Sequence, residues 1–454
     1  MSRYSYTEDE KKRNVILAHQ DKQCQEIKEI FDGSNVDVRI AESEKLLSEL
    51  GIKLPVAGVS AEVSERKIIR LRDYEKIYAE AANDVGTEIV LEDLFTSEEL
   101  KQNALEVKAL NREYNAIHKL DKYDVSISVV AGLLGAVVDL VLVGIPEKGP
   151  DGLETGPLSD LVRKKFEEKF NPEEMEKLAN SKVSKVSFDA QDNRHTTEYV
   201  EGLSAYYHRM LSLGHDPLLG FVFGVYDIMH GTMTTIDKNG KFVCQVMENY
   251  ADRKETNIVS AVMKQIIHFK SDITTSMGLP APLMGLFNLM QFGSIGEEEL
   301  TIAEIVQGMY YEGFDFIHFC SQSISTIIIE LVTRIGYAVK RIKEGNKVKD
   351  SIPISLNREK HPKLATMLFI AHCEAAAINA GKVYFTKNPM AINYPEWIAF
   401  AKYSYKQLRW VLVEKPEACN KYVSGEINSE LYRAIEQSDL LFEQYTSDCY
   451  IVFE

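Results

Sequence analysis

Two short stretches set histidine beside aspartate in otherwise apolar surroundings. Gly214-His215-Asp216-Pro217 places one His–Asp pair at a helix start, and His268 and Asp272 stand four apart in IIHFKSD, on one face of a helix. An aspartate so placed orients an imidazole. Two such pairs together supply the donors of a carboxylate–histidine metal site, or of a phosphate-handling site with histidine as nucleophile or general acid. The catalytic candidates are therefore His215, Asp216, His268 and Asp272, and the residues name no particular metal or cofactor. The plainer reading is a hydrogen bond between His and Asp that ties two helices together. Asp315 and His318 make a further pair at helical spacing, and Asp139 and Asp227 lie inside glycine-rich apolar runs. The chain has no P-loop, GxGxxG, GxSxG, HExxH or EF-hand motif.

The elements that must position these groups are apolar helices. The longest run, residues 125–145, reads VSISVVAGLLGAVVDLVLVGI, without Lys or Arg and with Asp139 as its one ionisable residue. As a helix it spans ~31 Å, close to the thickness of a hydrocarbon core. Ser128, Gly132 and Ala136 share one face, and Ala131, Gly135 and Asp139 share the next. Small residues at this spacing let helix backbones approach closely. A charged Asp139 at a bilayer centre would cost ~2.5–3.5 kcal/mol, so it must face a partner or water. The run is either a membrane span or the central helix of a buried core. Gly220 and Gly224 in GHDPLLGFVFGVYDIMHG (214–231) and Gly285 in GLPAPLMGLFNLMQFG (278–293) repeat its style. These glycines are expected to pack against the first run, with Asp139 turned toward the histidines.

Around this centre the patterning predicts a mainly α, multi-helical fold with a central glycine-rich apolar helix cluster. One β-hairpin is expected at about 232–246, around Asp237-Lys238-Asn239-Gly240, where Asn-Gly supplies the turn. Residues 1–120 read as charged helices, with a capping box at Thr96-Ser97-Glu98-Glu99 and a short helix from Asn35 to Ile52. Residues 183–194 read as a polar connector. Further helices are expected over 299–311, 316–342, 364–380, from Pro395, and over 429–445, with Ile327-Ile328-Ile329 marking deep burial. The implied regions are 1–120, 121–300 and 301–454.

Composition narrows the function. A net charge of −16 makes nucleic acid an improbable partner. A mean hydropathy of −0.19 argues against span after span of membrane helix. Six cysteines without CxxC spacing point to reduced thiols, and the first twenty residues lack the apolar core of a secretory signal. The expected location is the cytoplasm or the inner face of the cytoplasmic membrane. Expected partners are a membrane or a second copy through the apolar helices, and a protein through the N-terminal helices.

The order AGLLGAVVDLVLVGIP, LGHDPLLGFVFGVYD, HFKSD, YYEGFDFIHF, NAGKVYFTKNPMAINYPEWIAF resembles an uncharacterised family of bacterial proteins over roughly residues 120–410. That resemblance implies a bacterial architecture and carries no activity. HxxxD at 268–272 also resembles a fragment of the membrane lipid phosphatases, but the arginines that clamp phosphate in that family have no counterparts beside it in sequence. Three functional readings stand. The first is a bacterial helical protein associated with membranes, or inserting conditionally through 125–145, for example as an effector acting on membranes. The second is a soluble helical scaffold or partner-binding protein. The third is a His/Asp-dependent hydrolase acting on a phosphorylated or lipid-like substrate.

Overall fold

Helices dominate the chain because apolar and small residues recur at three- and four-residue spacing through most of it. A computed structural model describes residues 5–33, 45, 67–149, 152–275, 277–295, 299–447 and 449–453. The helix expected from Asn35 to Ile52 lies outside the described residues apart from Lys45. In chain order the helices are α1 (Glu8–Gly33), α2 (Tyr74–Val85), α3 (Ser97–Ile117), α4 (Lys122–Val137), α5 (Pro157–Lys169), α6 (Pro172–Ala179) and α7 (Phe223–His230). They continue as α8 (Ile258–Asp272), α9 (Ile302–Tyr311), α10 (Phe316–Lys343), α11 (Leu364–Thr386), α12 (Tyr394–Arg409) and α13 (Lys415–Thr446). Short helical turns lie between them. The fold is mainly α.

Strands are few. Among the described residues they form the parallel pair β1 (Lys67–Leu71) with β6 (Cys449–Phe453), and the antiparallel pairs β2 (Glu147–Gly149) with β3 (Gly152–Glu154) and β4 (Thr232–Ile236) with β5 (Phe242–Val246). The hairpin expected at 232–246 is β4–β5. Its turn is held by Asp237, whose Oδ1 accepts from the amides of Asn239 and Lys241, and Gly240 takes φ +80°.

The chain divides into two compact units, residues 1–116 with 415–454, and residues 117–414. In the first, α1 packs on α2 with Val15 and Ala81 fully buried. Thr96 and Glu99 form the expected capping box at the start of α3. Tyr114 of α3 lies 5.4 Å from Tyr422 of α13, ring to ring. The last long helix therefore starts at Lys415, well before residue 429, and belongs with the N-terminal helices.

In the second unit α4, α10, α11 and α12 pack lengthwise. At one end Lys340 at the C-terminus of α10 and Lys363 just before α11 both bond Asp124 in the first turn of α4. Gln407 near the C-terminus of α12 reaches the same end through Arg358 and Thr366. The four helices thus alternate in direction. Glycines permit their close approach, since a Cβ on Gly132 would lie 2.6 Å from the carbonyl oxygen of Ala371 and one on Gly135 would lie 2.3 Å from Ile329 Cγ1. After Val137 the α4 helix widens into a π-helix, Val138–Val143, and ends at Gly144 with φ +72°. α11 runs through Gly381 to Thr386, where the sequence had suggested a stop, because no chain reversal is required at that glycine. Of the isoleucine triplet only Ile329 is buried and Ile327 faces outward, since a helix cannot turn three successive residues to one side.

The runs at 214–231 and 278–293 do not pack on α4. Gly220 and Gly224 lie against Gln265 and Phe269 of α8, and Gly285 against the carbonyl of Met210. With β4–β5 and α8 the first run builds a module whose core holds Val186, Phe188, Val225, Ile228, Met233 and Ala261, while the second packs Ala281 and Met284 against Met309, Tyr310 and Phe314.

A backbone oxygen cannot move away as a side chain can. Gly132→Val is therefore expected to destabilise the second unit by about 3 kcal/mol or more, seen as a lower melting temperature in circular dichroism. An unchanged melt would show that α4 and α11 are not in contact at that point.

Candidate functional site

The His–Asp residues meet inside this module, with two partners that the sequence reading left out. α8 starts at its cap Asn257, whose side chain accepts from Val259 N, and buries Ala261, Gln265, His268, Phe269 and Asp272 along one face. That face is polar at its C-terminal end. His215 follows the short helix His208–Leu211 in a helical turn and is fully buried. Asp189 comes from the irregular segment after α6. The segment at 183–194 is not a solvent connector, because Val186, Ser187 and Phe188 are buried and Phe188 packs edge-on to the rings of His215 and His268 at 5.0 and 5.1 Å.

Three imidazoles and two carboxylates converge here. His208 Nε2 lies 3.2 Å and His215 Nε2 3.4 Å from Asp189 Oδ1. His268 Nε2 lies 3.4 Å and His215 Nε2 3.8 Å from Asp272 Oδ2. Their outer atoms are fixed by the backbone and by one cation. His268 Nδ1 bonds Ser184 O at 3.0 Å and His208 Nδ1 bonds Ala205 O at 2.9 Å. A carbonyl only accepts, so both Nδ1 atoms carry hydrogen and both Nε2 atoms point inward. Arg209 donates to Asp272 Oδ1 at 3.2 Å, and to Thr275 Oγ1 and Gly278 O. An arginine therefore stands beside the HxxxD pair in space, though not in sequence.

The electrostatics set an ionised Asp189 beside a neutral His215. Burial drives the pKa of His215 down to about 3, which keeps it neutral. Burial alone would raise Asp189, but the facing imidazoles of His208, His215 and His268 outweigh it and hold the carboxyl well below its usual range. The chemistry on offer is coordination of a cation by nitrogen and oxygen.

Asp216 is not part of this cluster. Its Oδ1 accepts from the amides of Leu218 and Leu219, and its Oδ2 from Leu283 N. It shapes the loop that carries His215, which the adjacency of the two residues in sequence concealed. Asp227 accepts from Thr232 and Thr234 and joins α7 to the hairpin. Asp315 caps α10 and pairs with Arg163 at 2.9 Å. His208 and Asp189 went unseen in the sequence because neither sits beside a complementary residue. The one available signal was Phe188, an aromatic residue in a Ser-rich stretch.

A second polar centre lies inside the helix bundle. Asp139 is buried and faces Lys382 of α11, Nζ to Oδ2 3.0 Å, rather than the histidines. Asn379 donates to Asp139 Oδ2 at 3.1 Å, and Asn393 to Asp139 Oδ1 at 2.8 Å and Ser325 Oγ at 2.9 Å. Deeper along the bundle His372 pairs with Glu396 at 2.7 Å, and Glu330 bonds Arg334 and Tyr403.

No family model, curated protein or solved structure matches this chain. The functional reading therefore rests on geometry alone.

Removing Asp139 leaves a buried ammonium without its counter-charge. Asp139→Ala is expected to cost about 3–5 kcal/mol, and adding Lys382→Met should recover much of that loss. A double-mutant cycle of unfolding free energies checks it, and additive losses would show that the two groups do not interact.

Proposed function

We propose that this protein works at a membrane, associating with lipid through the outer face of α4 and the neighbouring faces of α10 and α11. One observation carries this reading, the inverted placement of polar and apolar residues. Small and polar groups, among them Ser128, Gly132, Gly135, Asp139, Ser325 and Asn379, point inward. Val130, Leu133, Leu134, Val137 and Val141 of the α4 stretch and Ile327, Leu331 and Ile335 of α10 point out. The α4 stretch, α10 and α11 are each long and apolar enough to cross a membrane, and only 33% of the most apolar window of the α4 stretch is buried. In water such a surface would be a contiguous apolar patch of the kind that marks a contact site. In lipid it is the ordinary packing of small residues inside and large ones outside.

The low mean hydropathy does not count against three such helices, because the charged helices of the other unit dilute an average over the whole chain. Charges collect where a bilayer surface would want them. Asp121, Asp124, Lys340 and Lys363 form one ion-paired layer at one end of the bundle. α12 differs from its neighbours, since Lys402 and Lys406 are exposed along it. α4 and α12 are placed on opposite sides of the α10–α11 pair by their packing partners, so α4 forms the lipid side, while α12 exposes Tyr405 and Leu408 beside its lysines. The module around the histidines supports the same surface chemistry. Phe221, Val222 and Tyr226 at α7, with Ile258, Val259 and Met263 on α8, are all exposed.

Flotation with vesicles of phosphatidylethanolamine and phosphatidylglycerol tests this. The wild type should rise with the vesicles, and Val137→Glu with Val141→Glu should lower partition at least ~100-fold, since each buried charge costs about 2.5–3.5 kcal/mol near the centre of a bilayer. Both positions are exposed, so a water-soluble fold would tolerate the changes. A wild type that stays with the soluble fraction and leaves vesicles untouched overturns the reading.

A further inference from the structure

We infer that His215, His268 and Asp272 bind one first-row divalent transition-metal ion of the zinc or iron(II) class, with Asp189 and His208 packed beside His215. Direction is the first argument. The Nε2 atoms of His208, His215 and His268 and Oδ2 of Asp272 are buried and have no hydrogen-bond partner. Each nitrogen nevertheless lies 3.2–3.8 Å from a carboxylate oxygen. Nitrogen and oxygen thus approach each other without aligning, as they do when both aim at a third point between them. The ring tautomers sharpen this. With Nδ1–H of His208 and His268 committed to carbonyls, each ring is held with Nε2 turned inward toward a carboxylate.

Distance is the second argument. Ligands at about 2.0–2.1 Å from a metal stand roughly 2.9–3.4 Å apart at the angles of octahedral and tetrahedral centres. The 3.2, 3.4 and 3.4 Å separations fall in that range, and the 3.8 Å pair subtends a wider angle. The two triads Asp189–His208–His215 and His215–His268–Asp272 share His215, whose Nε2 faces both carboxylates. An imidazole nitrogen ligates one ion, and of the two triads only His215–His268–Asp272 has all three facing atoms buried without a hydrogen-bond partner, which assigns the ion to it.

Support around the ligands is the third. Two of the three histidines hand their other nitrogen to a backbone carbonyl, and Arg209 fixes the outer oxygen of Asp272, which leaves Oδ2 turned inward. These are the outer contacts that orient metal ligands. Phe188 against the rings of His215 and His268 keeps them in place and dry. Imidazole and carboxylate donors, with no thiolate, select zinc or iron(II) over calcium and magnesium. Asp189 alone reaches solvent, with 27% of its side chain exposed, so the ion would exchange along that edge. This assignment is independent of membrane binding.

Metal analysis of the full-length protein, purified without a histidine tag, should find about one equivalent of such an ion. Chelator-treated protein titrated with cobalt(II) should develop visible ligand-field absorption that saturates at one equivalent. Asp272→Asn and His215→Ala should each lower retained metal at least tenfold. Arg209→Gln, which touches no ion, should weaken cobalt affinity ~10–100-fold. Should a variant fail to fold by circular dichroism, the wild-type titration still decides. Folded wild type that carries no stoichiometric metal and gives no cobalt spectrum overturns the assignment.

Discussion

The second unit is organised by the burial of one carboxylate and one ammonium between helices whose outer surfaces are apolar. Asp139 and Lys382 can meet only if α4 and α11 approach backbone to backbone, which is why Gly132 and the small residues around it face α11. The same demand carries α11 past Gly381, since Lys382 is needed one residue later. Asn393 serves two ends at once. Its Oδ1 caps α12 through Glu396 N while its Nδ2 holds Asp139 and Ser325, so the start of the fourth helix is tied to the charge that the other three enclose.

Wherever local pattern decides structure, the sequence was readable. The capping box at Thr96, the Asn-Gly hairpin and the long apolar helices all follow from near neighbours in the chain. The run 125–145 was recognisable as a close-packed helix from its small-residue faces, and Asp139 was recognisable as needing a partner. Which partner was not. Lys382 and Asn393 lie more than two hundred residues away and sit in stretches whose composition is ordinary. The candidate site divides in the same manner. His268 and Asp272 share a helix face and were found by spacing, whereas Asp189, His208 and Arg209 are gathered by tertiary packing. Adjacency misled at Asp216, whose side chain turns back on its own loop.

The two polar centres share one arrangement at different scales. In each, charged or hydrogen-bonding groups are enclosed by helices that show apolar side chains to the outside. Around the histidines α8 turns Gln265, His268 and Asp272 inward and Val259 and Met263 outward. In the bundle α4 does so with Asp139 and Val141. A helix of this kind has the amphipathic period of any surface helix with the sense of the faces reversed. Hydrophobic periodicity alone does not reveal which sense applies, because it reports the stripe and not what lies against it.

The parallel pairing of β1 with β6 joins residue 67 to residue 449 and residue 71 to residue 453. The first unit is therefore assembled from segments on either side of the entire second unit. During synthesis α1, α2 and α3 emerge first, yet the strand and long helix that complete their unit are translated only after residue 414. The contiguous second unit has all its contacts available earlier, and domains generally fold as units as they emerge. The order in which the two units can be completed is thus the reverse of the order in which they begin. The segment made first must wait until everything between its two halves has been made.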